Sequence, residues 1–231
     1  MMVFNGEFKS PLPITGSHEP TGTVVKLGPE AKGFSKGDRV GALTFTKTCT
    51  KCPDCKAGRP LFCDNASMGG ITQDGALAEY MVVDSKTAVH LPDNLSFEQA
   101  APLTCAGATV FNALKACNLK AGQSVGIIGL GSLGHIAIQL AKCMVRASLP
   151  FYRDTFRLLP QDLKVAGVDA RKEPIDLAKS LQFAPDLCIN VKDGDEAARK
   201  QVDEMTKDAA YPGLDAYARS VYVSEYKLTV I

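Results

Sequence analysis

Four cysteines, Cys49, Cys52, Cys55 and Cys63, stand in the order C-x2-C-x2-C-x7-C within fifteen residues. Four thiolates in so short a loop can close a tetrahedral shell around one zinc ion. A closed shell leaves no position for a substrate, so the quartet points to a structural metal and places the chemistry elsewhere. A second pattern supplies it. Gly129, Gly131 and Gly134 form G-x-G-x-x-G, with Leu130, Ser132 and Leu133 between them. Glycines allow a tight turn and let backbone N–H groups approach a pyrophosphate at the positive end of a helix. Asp169 ends the next apolar run. A carboxylate there binds adenosine ribose hydroxyls and favours NAD over NADP, because it repels a 2′-phosphate. Arg171, two residues on, is a group that could accept that phosphate.

These residues need elements to hold them. Residues 21–28 and 37–45 read as short strands between glycine turns, and 75–92 as two more. The first hundred residues are thus β-rich. Ser96 and Gln99 form a capping-box pair that opens a short helix. The period then changes. Val110, Phe111, Leu114 and Cys117 share one face of a helix over 105–117. A strand over 124–128 runs into the glycine motif and a helix over 132–143. Strands at 165–169 and 187–190 alternate with helices at 173–181 and 195–207, the pattern of a parallel doubly wound sheet. The reading is a mixed fold: a β-rich domain over 1–104, a partial α/β Rossmann-type domain over 105–215, and a tail over 216–231 with no matching strand. One spacing is out of place. Asp169 lies 35 positions beyond Gly134, where about twenty is usual. The excess falls at 145–163, a stretch with two prolines and no clean period, and a loop of that length counts against normal packing.

Composition narrows the function. The chain has 231 residues, 45% hydrophobic and 22% charged, as expected of a globular protein. A net charge of +1 gives no field to draw it to nucleic acid or an anionic membrane. No apolar run reaches the ~20 residues that span a bilayer. The opening M-M-V-F-N-G-E-F-K has neither part of a signal peptide. Expected location is therefore the cytoplasm, where thiols stay reduced and the quartet is a metal site rather than two disulfides. Of the other cysteines, Cys117, Cys143 and Cys188 fall in apolar helix or strand patterns and read as core.

Five motifs in order resemble one family: G-S-H-E-P-T-G-T-V-V (16–25), the quartet, G-A-L-A-E-Y (75–80), A-P-L-T-C-A-G-A-T-V (101–110) and G-L-G-S-L-G-H (129–135). Together they are similar to the zinc-containing alcohol dehydrogenases of the medium-chain family, in its fungal NAD-dependent branch. The resemblance covers roughly 10–144 and 164–215. It implies a GroES-like catalytic domain, then a Rossmann coenzyme domain. It implies structural zinc on the quartet and a catalytic zinc with His18 and Cys105 as ligands and Glu19 beside it. Such a zinc lowers the pKa of an alcohol, and hydride passes to the nicotinamide of NAD. Thr109 resembles the family's nicotinamide-contacting threonine. Taken by themselves, His18 reads as a loop histidine and Cys105 as packing at a helix start. His90 and His135 suggest no catalytic role.

The sequence departs from the family in three places. The first catalytic-zinc cysteine and its accompanying residues have no counterpart before His18, so the catalytic site is incomplete unless Glu19 takes the missing place. The second departure is the insertion at 145–163, and the third is the tail after P-G-L-D-A (212–216). Two functions follow: an NAD-dependent enzyme interconverting a small alcohol with its aldehyde or ketone, or an inactive fragment keeping structural zinc and part of a nucleotide site. A zinc-ribbon nucleic-acid binder is disfavoured by the neutral charge. The family is homo-oligomeric, but a chain lacking these segments is not expected to keep that assembly. The expectation from three such breaks is a faulty gene model, with retained introns near 145 and 217 and a lost first exon. Sequencing the transcript is expected to show intron sequence near residues 145 and 217; an uninterrupted message would contradict this.

Overall fold

In the computed structural model the chain divides into two compact units, Met1–Cys105 and Ala106–Ile231. The structure describes residues 3, 5–43, 45–120, 122–146, 163–208, 213, 214 and 216–219. Most of the expected insertion (147–162) and most of the tail (220–231) lie outside the described residues.

The first unit is built on β2 (Arg39–Ala42), which pairs antiparallel with β1 (Thr21–Thr23) on one side and β5 (Ala88–His90) on the other. Gly41 lies opposite both Thr21 and Val89. A second pair, β3 (Phe45–Thr46) with β4 (Ser67–Met68), is antiparallel and closes the base of the cysteine loop. Buried Thr46 accepts a 2.7 Å bond there from the Gln73 side-chain amide. Two short helical pieces lie inside the loop: α1 (Pro53–Lys56) and a 3-10 turn at Pro60–Phe62. The expected capping box is formed. The Ser96 hydroxyl accepts from Gln99 N–H at 3.2 Å, the Gln99 side chain accepts from Ser96 N–H at 3.3 Å, and α2 (Phe97–Ala100) follows. The Arg39 guanidinium lies 4.4 Å above the Phe97 ring and donates to the Leu95 carbonyl, tying α2 to β2.

The strands are shorter than the alternation predicts. Residues 21–28 keep three strand residues, and 37–45 splits into β2 and β3. Of the two strands expected in 75–92 only β5 forms. Residues 75–84 fail as a strand because their backbone donors go to a bend rather than to a ladder. Gly75 N–H, Ala76 N–H and Leu77 N–H donate to the carbonyls of Thr15, Ser17 and Gly16 at 2.8, 3.1 and 3.0 Å. Leu77, Tyr80 and Val82 are exposed, so no buried face fixes a register.

The second unit is a four-stranded parallel sheet in the order β8-β7-β6-β9: β6 (Ser124–Ile128), β7 (Lys164–Asp169), β8 (Leu187–Asn190) and β9 (Ala216–Arg219). Its helices are α3 (Ala106–Ala116), α4 (Ser132–Arg146), α5 (Lys172–Ser180) and α6 (Asp195–Thr206). Val125, Ile127, Leu130, Ile138 and Val165 are wholly buried, and α4 adds Ala137 and Ala141 to the same cluster. Successive buried residues along β6 are what a parallel strand covered on both faces requires. Gly167 in β7 leaves room for Leu130: a Cβ there would stand 3.2 Å from both Leu130 methyls. The Lys142 ammonium holds the Asp186 carboxylate at 2.7 Å, and that carboxylate also accepts from Val165 N–H, fixing the start of β7 against α4.

Two expectations are corrected here. The long spacing before Asp169 does not disturb packing: β7 pairs with β6 in unbroken register, Ser124 against Lys164 through Ile128 against Val168. And the stretch after Asp215 does carry a strand. β9 pairs parallel with β6, Val125 against Ala216 through Ile128 against Arg219. Ala-Tyr-Ala-Arg has no β-branched residue and only Tyr217 to favour a strand, so the sequence signal is weak. The partner does it instead. Gly213 is held from both sides, its N–H by Thr206 Oγ1 at 2.7 Å and its carbonyl by Ser124 Oγ at 2.8 Å, which delivers the chain to the open edge of β6.

Candidate metal centres and nucleotide site

The quartet converges. The Sγ atoms of Cys49, Cys52, Cys55 and Cys63 all lie within 4.8 Å of one another, with Cys63 buried and the others half-buried. Local geometry does this. Thr50 adopts φ 59°, a conformation unfavourable for a β-branched residue. That bend aims two successive N–H groups, of Lys51 and Cys52, back at the Cys49 sulfur at 3.4 and 3.2 Å. Cys52 caps α1, its sulfur accepting from Cys55 N–H at 3.4 Å, and Cys49 N–H donates to the Cys63 sulfur at 3.3 Å. The N–H groups of Lys51 and Cys52 stabilise the thiolate and pull Cys49 down to about 6. Burial, together with the neighbouring Cys52 and Cys63 thiols, pushes Cys55 up to about 12. Protons are thus shed at one ligand and held at another. A divalent cation in the shell would replace those protons, and four convergent sulfurs fit zinc.

A second cluster brings together His18, Glu19 and Cys105, whose ligand atoms also lie within 4.8 Å of one another. It offers one imidazole nitrogen, one carboxylate oxygen and one thiol sulfur, all half-buried and all zinc donor types. Two contacts assemble it. First, the bend at 16–17 that precedes His18 is clamped by 70–77 through the three N–H bonds already described and by Asp74, whose carboxylate accepts from Thr15 N–H at 2.8 Å. The approach is so close that a Cβ on Gly75 would lie 1.9 Å from the Ser17 carbonyl oxygen, and one on Gly70 2.3 Å from it. Second, Gly41 in β2 is where the flanks of the ligands meet. A Cβ there would stand 2.9 Å from the Thr104 methyl, one residue before Cys105, and 3.7 Å from the Pro20 carbonyl, one residue after Glu19. Thr104 is buried, and its hydroxyl closes the preceding turn on the Ala101 carbonyl at 2.8 Å.

In the second unit, the glycine motif links β6 to α4. Gly129 N–H donates to the Val168 carbonyl at 2.8 Å, carrying the β6–β7 ladder into the loop. Leu130 is buried core, Gly134 is buried, Gly131 and Leu133 are half-buried, and Ser132 is exposed. Asp169, at the end of β7, is buried, and its carboxylate is fully engaged. Oδ2 accepts from Leu130 N–H at 2.8 Å and Arg171 Nη2 at 3.2 Å, and Oδ1 from Arg171 N–H at 2.9 Å and Nε at 3.2 Å. Burial alone would raise its pKa, but the Arg171 guanidinium and the Leu130 and Arg171 backbone N–H groups outweigh it and hold the carboxyl at about 2. A cavity of about 470 Å³ opens beside this pair, lined by Leu130, Gly131, Ser132 and His135 on one side and Arg171 and the head of α5 on the other. Thr109 is exposed on the first turn of α3.

The four quartet cysteines and the glycine motif were visible in the sequence as ligand and loop chemistry, whereas His18 and Cys105 entered as ligands only through the family resemblance. Gly70, Asp74 and Gly75 were not assigned roles. The signals present were G-G at 69–70 and D-G at 74–75, which read as turns rather than as a seat for another backbone. Among the described residues no helix is long and apolar enough to cross a membrane.

Comparison with known proteins adds the following. Residues 1–93 match the family described as the alcohol dehydrogenase GroES-like domain. The chain is 35% identical over 219 residues to an alcohol dehydrogenase of Geobacillus stearothermophilus, covering 95% of this chain and 59% of the relative. It is 42% identical over 132 residues to the alcohol dehydrogenase notN of an Aspergillus species, covering 57% of this chain and 39% of that one. Among solved structures, it superposes on the alcohol dehydrogenase of the archaeon Aeropyrum pernix with a TM-score of 0.71 at 29% identity, covering 93% of this chain and 56% of the other. On a cinnamyl alcohol dehydrogenase of Sorghum bicolor the TM-score is 0.73 at 27% identity, covering 95% and 57%. The chain therefore spans less than two thirds of the length of each of these relatives.

Two outcomes check this geometry. Gly75→Ala should cost about 2–4 kcal/mol in urea denaturation, because the added carbon meets a backbone oxygen that cannot rotate away. Gly22→Ala, where nothing lies within 4 Å, is the near-neutral control; equal midpoints for the two would contradict the clamp. For Asp169 the folded pKa of about 2 lies below the ordinary 3.8. Its stabilisation is present above the unfolded pKa and is lost as pH falls through the folded one. Asp169→Asn should remove roughly 1–2 kcal/mol at neutral pH and flatten the acid-side loss between about pH 4 and 2. An unchanged acid limb in a melting-temperature profile would contradict that role.

Proposed function

The chain belongs with the medium-chain, zinc-type alcohol dehydrogenases, and from that premise we propose that it exchanges a hydride between a primary or secondary alcohol and NAD. The observation that carries the reading is the convergence of His18, Glu19 and Cys105 within 4.8 Å, on a unit whose quartet is also complete. Three protein ligands are the number that leaves a fourth position for substrate, and four sulfurs the number that leaves none. The donor sets fit: His18, Glu19 and Cys105 would hold a catalytic zinc, and Cys49, Cys52, Cys55 and Cys63 a structural one. When bound at the three-ligand cluster, zinc supplies Lewis-acid chemistry that lowers the pKa of an alcohol hydroxyl.

The chain's own residues do the rest. Glu19 supplies the third protein ligand beside His18 and Cys105. The 70–77 clamp keeps His18 and Glu19 at a fixed entry angle, so a substrate oxygen meets a preorganised site. Gly129, Leu130, Gly131, Ser132, Leu133 and Gly134 present a glycine loop and the head of α4 to the dinucleotide pyrophosphate. Asp169 is ionised across the physiological range and places negative charge where a 2′-phosphate would go, which supports NAD. Thr109 is assigned to the nicotinamide side. The partner is a small alcohol, aldehyde or ketone. The metal-ligand spacing and convergence of the quartet support a reducing compartment such as the cytoplasm.

The test is NAD-dependent oxidation of ethanol by the purified zinc-loaded chain. Cys105→Ala should lower kcat by at least about a hundredfold, the scale on which loss of one catalytic donor acts. Cys55→Ala should instead release one zinc and lower the melting temperature. Full activity in Cys105→Ala, or turnover independent of NAD, would contradict the assignment.

A further inference from the structure

We infer that the two candidate metal centres of the first unit bind metal cooperatively, with Gln73 and Asp74 as the positioning residues that link them. The inference rests on the metal reading above and adds what joins its two parts. The link is the turn that runs from β4 into the clamp. At its root, the Gln73 side-chain amide donates to Thr46 Oγ1 at 2.7 Å. Thr46 is buried in β3, three residues before Cys49, and pairs with Ser67 of β4, four residues after Cys63. Met68 of the same ladder accepts from the N–H groups of Ile71, Thr72 and Gln73 at 3.1, 2.8 and 3.2 Å, and donates its own N–H to Thr72 Oγ1 at 2.7 Å. The turn is thus rooted in the two strands that the cysteine loop connects. At its tip, Asp74 accepts from Thr15 N–H at 2.8 Å, and buried Gly70 and Gly75 seat against the Ser17 carbonyl, one residue before His18. Gly70 N–H donates to the Gln73 carbonyl at 2.8 Å, so root and tip form one piece.

The energetics give the link its direction. β3 and β4 have two residues each and are joined by two pairs, Phe45 with Met68 and Thr46 with Ser67. A ladder this short is marginal by itself. Cys49, Cys52, Cys55 and Cys63 all lie inside the loop that it closes. Four thiolates on one cation close the same loop a second time, so binding there is folding free energy for β3 and β4. While the ladder is secure, Thr46 holds Gln73 and the turn stays against the 15–17 bend. When the ladder frays, Gln73 loses its acceptor, the clamp loses its root, and the bend no longer carries His18 and Glu19 to Cys105. The turn therefore has two arrangements, docked and released, and ligation at either cluster favours the docked one. By linkage the effect is reciprocal: ligation at His18, Glu19 and Cys105 tightens the quartet by the same factor. The Asp74 bond is exposed and the Gln73 bond half-buried, so removal of the second is felt more.

Titration of the full chain with Co²⁺ after metal removal, read in the visible spectrum, tests this, because four-thiolate and one-thiolate sites give different bands. Thr46→Val removes the acceptor and keeps the shape. It should weaken cobalt binding at His18, Glu19 and Cys105 about fivefold, the usual worth of one neutral hydrogen bond. Thr46→Ser, which keeps the hydroxyl, should bind as wild type does. Gln73→Leu should match Thr46→Val, and the two together should lose no more than either alone. Cys52→Ser with Cys55→Ser disables the quartet and should weaken the three-ligand cluster at least as much; the Thr46 pair carries the test if that chain does not fold. Equal affinity of the three-ligand cluster in wild type, Thr46→Val and Gln73→Leu would overturn the inference, as would a loss in Thr46→Val that Thr46→Ser shares. A wild-type chain that takes up cobalt with a four-thiolate spectrum alone would remove the metal reading of His18, Glu19 and Cys105, and this inference with it.

Discussion

Three backbone N–H groups, on Gly75, Ala76 and Leu77, reach the carbonyls of the 15–17 bend, and the candidate catalytic site depends on that contact. His18 and Glu19 are carried on a stretch that otherwise has only the three-residue strand β1 after it. A loop of that kind has many conformations, and a ligand set needs one. The clamp removes the others, and it can form only because Gly70 and Gly75 carry no side chain. From there the order is consistent. Pro20 and β1 follow Glu19, β1 pairs with β2, and Gly41 of β2 receives Thr104, which presents Cys105. A thiol meets a histidine and a carboxylate more than eighty residues before it in sequence, through two places where backbone takes the room of side chains.

The second unit uses charge for the same purpose. The glycine loop needs its N–H groups turned outward and its Leu130 side chain turned inward. Burial of Leu130 against Gly167 supplies one half of this, and the bond from Leu130 N–H to Asp169 supplies the other. The buried carboxylate is tolerable because Arg171 pairs with it, a case where a charge out of water is offset by a partner and by backbone donors. The loop and the strand end that flank the candidate nucleotide cavity are therefore one hydrogen-bonded unit. The cysteine loop is a third variation, in which the N–H groups of Lys51 and Cys52 converge on the Cys49 sulfur and favour its thiolate.

Much of this was legible in the residues. β6 and β8 were read with their ends correct, and the helices on either side to within a few residues, because parallel strands buried on both faces and amphipathic helices leave strong local patterns. The quartet and the glycine motif were legible for another reason: their chemistry is local, with ligands and turn residues close together in sequence. What escaped was non-local. The 75–84 stretch alternates like a strand, yet its bonding partner is a bend sixty residues earlier. β9 has little strand propensity beyond Tyr217 and is recruited by the open edge of β6. Asp169 was legible as an acid at a strand end, but not as one already filled by Arg171, because two residues of separation do not say which way a guanidinium turns.

The central claim is that one chain holds two chemically different metal centres, one closed by sulfur and one open with mixed ligands. Zinc K-edge absorption spectroscopy on the purified chain, with the metal content measured on the same sample, addresses it most directly. Two zinc ions per chain are expected, with a mean shell of between two and three sulfurs near 2.3 Å and the remainder nitrogen or oxygen near 2.0–2.1 Å, roughly the average of a four-sulfur and a one-sulfur site. One zinc per chain with a pure sulfur shell would contradict it, leaving His18, Glu19 and Cys105 together in space without a metal to bind.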